Sequence, residues 1–142
     1  MTEVLFYTHA DDKLQTACAL TTKALARKMR VMLFTADAAA TERLGRMLWT
    51  APATGFLPHC RSEHALAAVT PVILDHLSER LVHDQVLINL REETPAFFSR
   101  FQRLVEIVGL DDADRQAARE RYRYYRDRGY AIRTHQLGEP GG

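Results

Sequence analysis

The stretch Arg30-Val31-Met32-Leu33-Phe34-Thr35 is a nearly continuous run of apolar residues. Such a run is typical of a β-strand that is covered on both faces, as in a parallel sheet. Before it, Val4-Leu5-Phe6-Tyr7 predicts a first strand, and residues 13–28 place apolar side chains at helical spacing. After it, Asp37 can cap a second helix that extends to about Thr50. This order of strand, helix, strand and helix predicts a parallel sheet with right-handed crossovers.

The rest of the chain continues this alternation. Further strands are predicted at residues 70–75, 86–90, 104–108 and 130–134, and Thr8 to Asp12 is predicted to be a polar turn. Further helices are predicted at 61–69, from Pro95 through Phe101, and from Asp111 to Arg128, where Gly129 ends the last one. We therefore predict a three-layer α/β/α domain over residues 1–137. Its sheet is expected to be open, mostly parallel, twisted and Rossmann-like, and residues 138–142 are expected to form a disordered tail.

The composition excludes several classes of protein. The 142 residues are 46% hydrophobic and 26% charged, with a formal net charge of only +1, whereas domains that bind nucleic-acid backbones are usually basic. No apolar run approaches the length of a membrane span, and the acidic N-terminus does not resemble a signal peptide. Cys18 and Cys60 do not have the spacing of a metal or redox motif. We expect a cytoplasmic protein with reduced thiols that does not bind membranes.

The sequence also lacks the usual signals of an enzyme. The first crossover, Thr8-His9-Ala10-Asp11-Asp12-Lys13, contains no glycine, so its backbone is not suited to wrap a pyrophosphate. No serine lies in a nucleophile-elbow context. Glu92 and Glu93 could act as an acid–base pair, but they precede Pro95, where capping of a helix is the favoured interpretation. We expect no cofactor and no catalytic residues.

Two groups of residues could in principle bind a metal ion. His9 with Asp11 and Asp12 forms one, and the adjacent His59 and Cys60 form the other. Polar residues on a loop are much more often capping or solvated groups, and no second pair lies at ligand spacing from His59 and Cys60. We therefore expect no metal site.

The chain has a single tryptophan, Trp49, at the predicted end of the second helix, and Phe56 follows across a loop that contains proline and glycine. Two interpretations stay open for these rings. Either they fill the core, or they form an exposed aromatic patch of the kind that dominates interface energetics.

The last long helix is rich in arginine. Arg115, Arg119, Arg123 and Arg126 lie within about 80° of one another around its axis, beside Tyr122. A charged stripe on a helix is usually a solvated face. Five acidic residues share the segment but not the stripe. A one-sided row of guanidinium groups next to a tyrosine is also suited to bind an apolar peptide that carries carboxylates.

Three segments together resemble a known family. They are Leu48-Trp49-x-x-Pro52-x-x-x-Phe56-x-Pro58-His59, Val86-Leu87-Ile88-Asn89-Leu90-Arg91, and Ala118-Arg119-Glu120-Arg121-Tyr122-Arg123-x-Tyr125-Arg126-x-x-Gly129-Tyr130. In order and spacing they resemble the chi subunit family of bacterial DNA polymerase III. The resemblance runs from Phe6 to about Leu137 and is weakest between Cys60 and Gln85.

This resemblance implies an open α/β fold without catalytic activity. It implies two partners: the psi subunit, which links chi to the clamp loader, and the C-terminal tail of single-stranded-DNA-binding protein, which is acidic and has an apolar end formed by a phenylalanine. DNA would be contacted only indirectly. By position, the tail site would use Val108, Arg115, Arg119, Tyr122 and Arg123, and the psi site would include Trp49 and Phe56. The alternatives are a nucleotide-binding or hydrolytic α/β enzyme and a direct nucleic-acid binder that uses the helix rich in arginine and tyrosine.

Overall fold

The fold is built on one parallel sheet. A computed structural model describes residues 1–50 and 57–138, and seven strands in these ranges form the sheet. Their bounds are β1 Glu3–Ala10, β2 Val31–Phe34, β3 His59–Cys60, β4 Val72–Asp75, β5 Val86–Asn89, β6 Arg103–Gly109 and β7 Ile132–Gln136. The strand order is β3-β4-β2-β5-β6-β1-β7, and every neighbouring pair is parallel. The predicted open, parallel sheet is confirmed.

The three α-helices of the described ranges are α1 Lys13–Ala26, α2 Ala38–Trp49 and α3 Asp112–Asp127. An aspartate precedes each helix and accepts a hydrogen bond from a backbone N–H in the first turn. These bonds are from Gln15 to Asp12 at 3.1 Å, from Ala40 to Asp37 at 2.8 Å, and from Asp114 to Asp111 at 2.7 Å. Each bond satisfies an N–H that has no partner within its helix, which explains why these helices begin where they do. No helix in the described ranges combines the length and the apolar character that crossing a membrane requires.

The sheet separates two hydrophobic cores. On one face, Ala17 of α1 and Leu44 and Leu48 of α2 pack against sheet residues such as Leu33 and Ile88. On the other face, Ala118 and Tyr125 of α3 pack with residues of the sheet and with Phe98 and Phe101, which precede β6. The predicted three layers are therefore confirmed, with α3 on the opposite face from α1 and α2.

Two local predictions are wrong. Pro95 does not open an α-helix. The segment contains only a single 3-10 turn, Phe98–Arg100, because Phe98 and Phe101 are buried against α3 and the sheet. The polar turn predicted at Thr8 to Asp12 begins later, since β1 continues to Ala10 with an irregular register after Tyr7.

Four further predictions are shifted or fall on residues that the structure does not describe. The predicted helix at 61–69 is a 3-10 turn, Ala67–Val69, and the last strand begins at Ile132 and not at Tyr130. The predicted tail lies almost wholly outside the described residues, which end at Gly138, and Phe56 lies outside them too.

Candidate functional site

A cavity of about 840 Å³ lies between α3 and the sheet. Residues of strands β1, β6 and β7 form its floor, and residues of α3 line one side. The residues that line it are Phe6, Thr8, His9, Val108, Gly109, Leu110, Arg115, Gln116, Ala118, Arg119, Tyr122, Arg123 and Thr134. About a hundred residues separate β1 from α3 in the sequence. The cavity forms because the strand order places β1 between β6 and β7.

The floor of the cavity is apolar. Val108, at the end of β6, is buried, and so is Phe6 of β1. The ring of Tyr122 lies 5.5 Å from the ring of Phe6 between centroids and remains 37% exposed. A ligand side chain that enters here would therefore meet a valine, a phenylalanine ring and the side of a tyrosine, which suits an apolar or aromatic group.

The rim of the cavity is positively charged. Arg115, Arg119 and Arg123 are all exposed and line the cavity from α3. Arg115 lies 4.0 Å from Asp112, and Arg119 donates to the Gln116 side chain at 3.2 Å. Arg123 has no hydrogen-bond or ion-pair partner within residues 1–50 and 57–138. Arginines held so loosely keep most of their donors available for an anion.

The structure brings together all five residues predicted for a tail site: Val108, Arg115, Arg119, Tyr122 and Arg123. Their role in binding stays a prediction. Arg126, which the helical projection grouped with them, does not line the cavity and contacts Asp127 at 3.2 Å. The acidic residues are also less separate from the stripe than predicted, because Asp112 and Asp127 each approach one of its arginines.

A buried ionic cluster fixes α3 against the sheet. Arg121 is 3% exposed and its Nε donates to Glu106 of β6 at 3.0 Å, while Glu106 is fully buried. Tyr125 and Asn89 also donate to the Glu106 carboxylate, at 2.5 Å and 3.0 Å. A second nitrogen of Arg121 donates to the carbonyl of Glu92 at 2.6 Å. Every partner of the carboxylate is a donor, as its ionised form requires.

The electrostatics of this cluster follow from burial. Burial raises the pKa of Glu106, and the Arg121 charge together with the Tyr125 and Asn89 hydrogen bonds opposes that rise. Burial also raises the pKa of Tyr125, as does the nearby Glu106 carboxylate, so the phenol remains a donor. The sequence carries a signal for this cluster. Glu106 interrupts an apolar strand, and Arg121 lies at helical spacing between Ala118 and Tyr125, so both were candidates for burial.

The N-terminus of α3 has its own anchor beside the cavity. Asp114 accepts from the backbone N–H of Gly109 at 2.6 Å and from the Lys13 ammonium at 3.0 Å. Burial favours a higher pKa for Asp114, but these two groups outweigh it, and the pKa of Asp114 is lowered. Asp114 thus joins the start of α3 to the end of β6 and to α1, and it fixes the cavity edge formed by Gly109.

The Trp49 side chain is 63% exposed at the end of α2. Its ring lies edge-on to the His59 ring at 6.2 Å between centroids. Of the two interpretations left open for Trp49, the structure favours the exposed one. Because α2 and α3 pack on opposite faces of the sheet, Trp49 and the cavity belong to separate surfaces.

The residues considered for metal binding or catalysis have other contacts. Asp12 caps α1, and the His9 ring approaches the Thr8 hydroxyl at 3.0 Å. Within the described ranges, no group of three or more His, Cys, Asp or Glu residues could hold a metal ion. The predicted capping role of Glu92 and Glu93 is wrong, because only the 3-10 turn follows Pro95, and it has no side-chain cap.

The sequence matches known proteins over almost the whole chain. The family model described as DNA polymerase III chi subunit, HolC, matches residues 1–133. The DNA polymerase III subunit chi of Pseudomonas aeruginosa is 40% identical over 96% of this chain and 98% of that protein. The subunits chi of Haemophilus influenzae and Escherichia coli are 31% and 30% identical, over 86% and 84% of this chain and 85% and 82% of those proteins. The chain therefore belongs to the DNA polymerase III chi subunit family.

Proposed function

We propose that this chain is a non-catalytic accessory subunit of the DNA polymerase III holoenzyme that binds two protein partners. One partner is the acidic C-terminal tail of single-stranded-DNA-binding protein, which would bind in the α3 cavity. The other is the psi subunit, which would bind at Trp49 and link the chain to the clamp loader. The observation that carries the first proposal is an apolar floor bordered by three exposed arginines.

The tail has the chemistry that the cavity can accommodate. Its terminal phenylalanine ring would enter beside Val108 and Tyr122, its α-carboxylate would be held by Arg119, and its upstream aspartates would meet Arg115 and Arg123. A guanidinium group can donate two parallel hydrogen bonds to a carboxylate, so Arg119 suits a chain end better than a lysine would.

The expected affinity is moderate. Burial of one aromatic side chain contributes about 1.5–3 kcal/mol, and a hydrogen bond to a charged group adds about 1.5–3 kcal/mol. The loss of conformational freedom in the tail offsets part of this gain. These two contributions total only about 3–6 kcal/mol. The micromolar dissociation constant that we expect, equivalent to about −8 kcal/mol, therefore also requires the charge-assisted bonds from Arg115 and Arg123 to the upstream aspartates.

Isothermal titration with a synthetic tail peptide tests the first proposal. Arg119→Ala should weaken binding at least tenfold, which corresponds to about 1.4 kcal/mol. Arg126→Ala is the matched control, because it removes an exposed arginine of the same helix outside the cavity. Added salt should weaken binding to the unmodified protein. Equal binding by both variants would contradict the assignment of the site.

The same proteins can be tested for direct DNA binding. A gel shift with protein-free single-stranded DNA should show no complex at physiological salt, in keeping with the net charge of +1. A complex lost on Arg119→Ala would instead favour a nucleic-acid site on α3.

The exposed side chain of Trp49 supports the proposed binding site for psi. Large exposed aromatic side chains are frequent anchors of protein interfaces. Trp49→Ala or Phe56→Ala should impair capture of psi and leave binding of the tail peptide intact, since Trp49 lies on the face of the sheet opposite α3. Equal loss of both activities would indicate misfolding and would remove the support for a separate psi surface.

A further inference from the structure

The strand β7 forms one edge of the sheet beside the cavity. Within residues 1–50 and 57–138, β7 pairs only with β1, in uniform register from Ile132 to Gln136. The opposite edge strand, β3, has only two residues. An edge strand of five residues in regular register offers a template on which another extended chain can pair.

The hydrogen bonds to β1 identify which backbone groups of β7 point outward. Val4 N–H donates to the Ala131 carbonyl at 3.1 Å, and Leu137 N–H donates to the Thr8 carbonyl at 2.9 Å. In a parallel ladder the N–H and C=O of one residue point to the same side, and the next residue points to the other side. Arg133 and His135 therefore face β1, and the N–H and C=O of Ile132, Thr134 and Gln136 face away from the sheet.

This edge is continuous with the cavity. Thr134 both lines the cavity and points its backbone groups outward. It lies opposite Phe6 in the register, so its side chain shares the face of the sheet that α3 covers. A peptide that leaves the cavity across Thr134 thus reaches the outward N–H and C=O groups of Ile132, Thr134 and Gln136. The arginines of α3 lie on the same face of the sheet.

We propose that the residues of the acidic tail just before its terminal phenylalanine add to β7 as an eighth strand of the sheet. This inference rests on the proposed tail site and extends it from the chain end to the upstream residues. Side chains of a strand alternate between the two faces. Every second acidic side chain would therefore point to the face of Arg115 and Arg123, and the backbone of the tail would hydrogen-bond to Ile132, Thr134 and Gln136.

A scan of backbone N-methylation along the tail peptide tests this strand pairing with the unmodified protein. Methylation removes one donor without changing charge or side chain. Affinity should fall about three- to tenfold at every second upstream position and change little at the positions between. A scan without this alternation would overturn the strand pairing, while micromolar binding of the unmethylated peptide would still support the cavity. If the unmethylated peptide does not bind, the proposed tail site itself is wrong.

Amide hydrogen exchange gives a second readout on the protein. Binding of the peptide should protect the amides of Ile132, Thr134 and Gln136. The amides of Arg133 and His135, which already face β1, should change little and serve as the internal control. Equal changes at all five amides, or at none, would contradict the proposal.

Discussion

Arg119 and Arg121 lie two positions apart on α3 and have opposite environments. Arg119 is exposed at the rim of the cavity, and the only hydrogen bond of its side chain within the described ranges is to Gln116 on its own helix. Arg121 is buried and donates to Glu106 of β6 and to the carbonyl of Glu92. Two positions correspond to about 200° around a helix, so the two arginines necessarily lie on different sides of α3. The comparison teaches that position on the helix, and not residue type, decides which arginine is exposed at the cavity and which is buried against the sheet.

The largest effect on stability is expected at Arg121. Arg121→Ala leaves the Glu106 carboxylate buried without its cationic partner, which should cost about 3–5 kcal/mol in the free energy of unfolding. Urea denaturation followed by circular dichroism would measure this difference. The double variant Arg121→Met with Glu106→Met should recover much of the loss, because no charge then stays buried. If Arg121→Ala is as stable as the unmodified protein, the cluster does not hold α3 in position.

Substitution of Asp114 should have an effect on stability that is intermediate between those of Arg121 and Arg119, and this effect should depend on pH. Asp114→Asn should lower the free energy of unfolding by about 1.5–3 kcal/mol at neutral pH, because the hydrogen bonds from Lys13 and Gly109 to a charged acceptor are weakened. The pKa of Asp114 is lowered in the folded protein, so its contribution is present at neutral pH and is lost as the pH falls through that pKa. The difference between the two proteins should shrink below about pH 4, near the unfolded pKa of aspartate. A difference that is constant with pH would contradict this account.

The smallest effect on stability is expected at Arg119. Arg119→Ala should change the free energy of unfolding by no more than about 0.5 kcal/mol, since the side chain is exposed and its one hydrogen bond within residues 1–50 and 57–138 is to Gln116 of the same helix. Thermal melting of this variant beside Arg121→Ala would measure the contrast directly. A destabilisation at Arg119 as large as that at Arg121 would remove the distinction between the two sides of α3.

Much of the fold was predictable because its signals are local. The apolar runs of β2 and β5, the Asp37 cap of α2, and the end of α3 near Gly129 depend on neighbouring residues alone. The helix predicted after Pro95 failed for the opposite reason. Phe98 and Phe101 pack in the core against α3. This packing against distant residues overrides the local preference for a helix.

The candidate site was predictable in part. Helical periodicity alone groups Arg115, Arg119 and Arg123 beside Tyr122, and the family resemblance added Val108. Periodicity could not separate Arg126 from the group, because it fixes an angle around the helix and not the distance to the sheet. The hydrogen bonds of Glu106 were not predicted either, since its partners lie on β5 and α3, far away along the chain.

The sequence by itself determined the alternation of the main strands with the three α-helices, the Asp37 cap of α2 and the charge of the last helix, because periodicity, capping and charge are properties of consecutive residues. The tertiary structure alone decided the strand order, the pairing of Arg121 with Glu106, and the meeting of β1, β6, β7 and α3 around one cavity. These features depend on contacts between residues that are distant along the chain, and such contacts are selected by burial of apolar surface in the whole molecule.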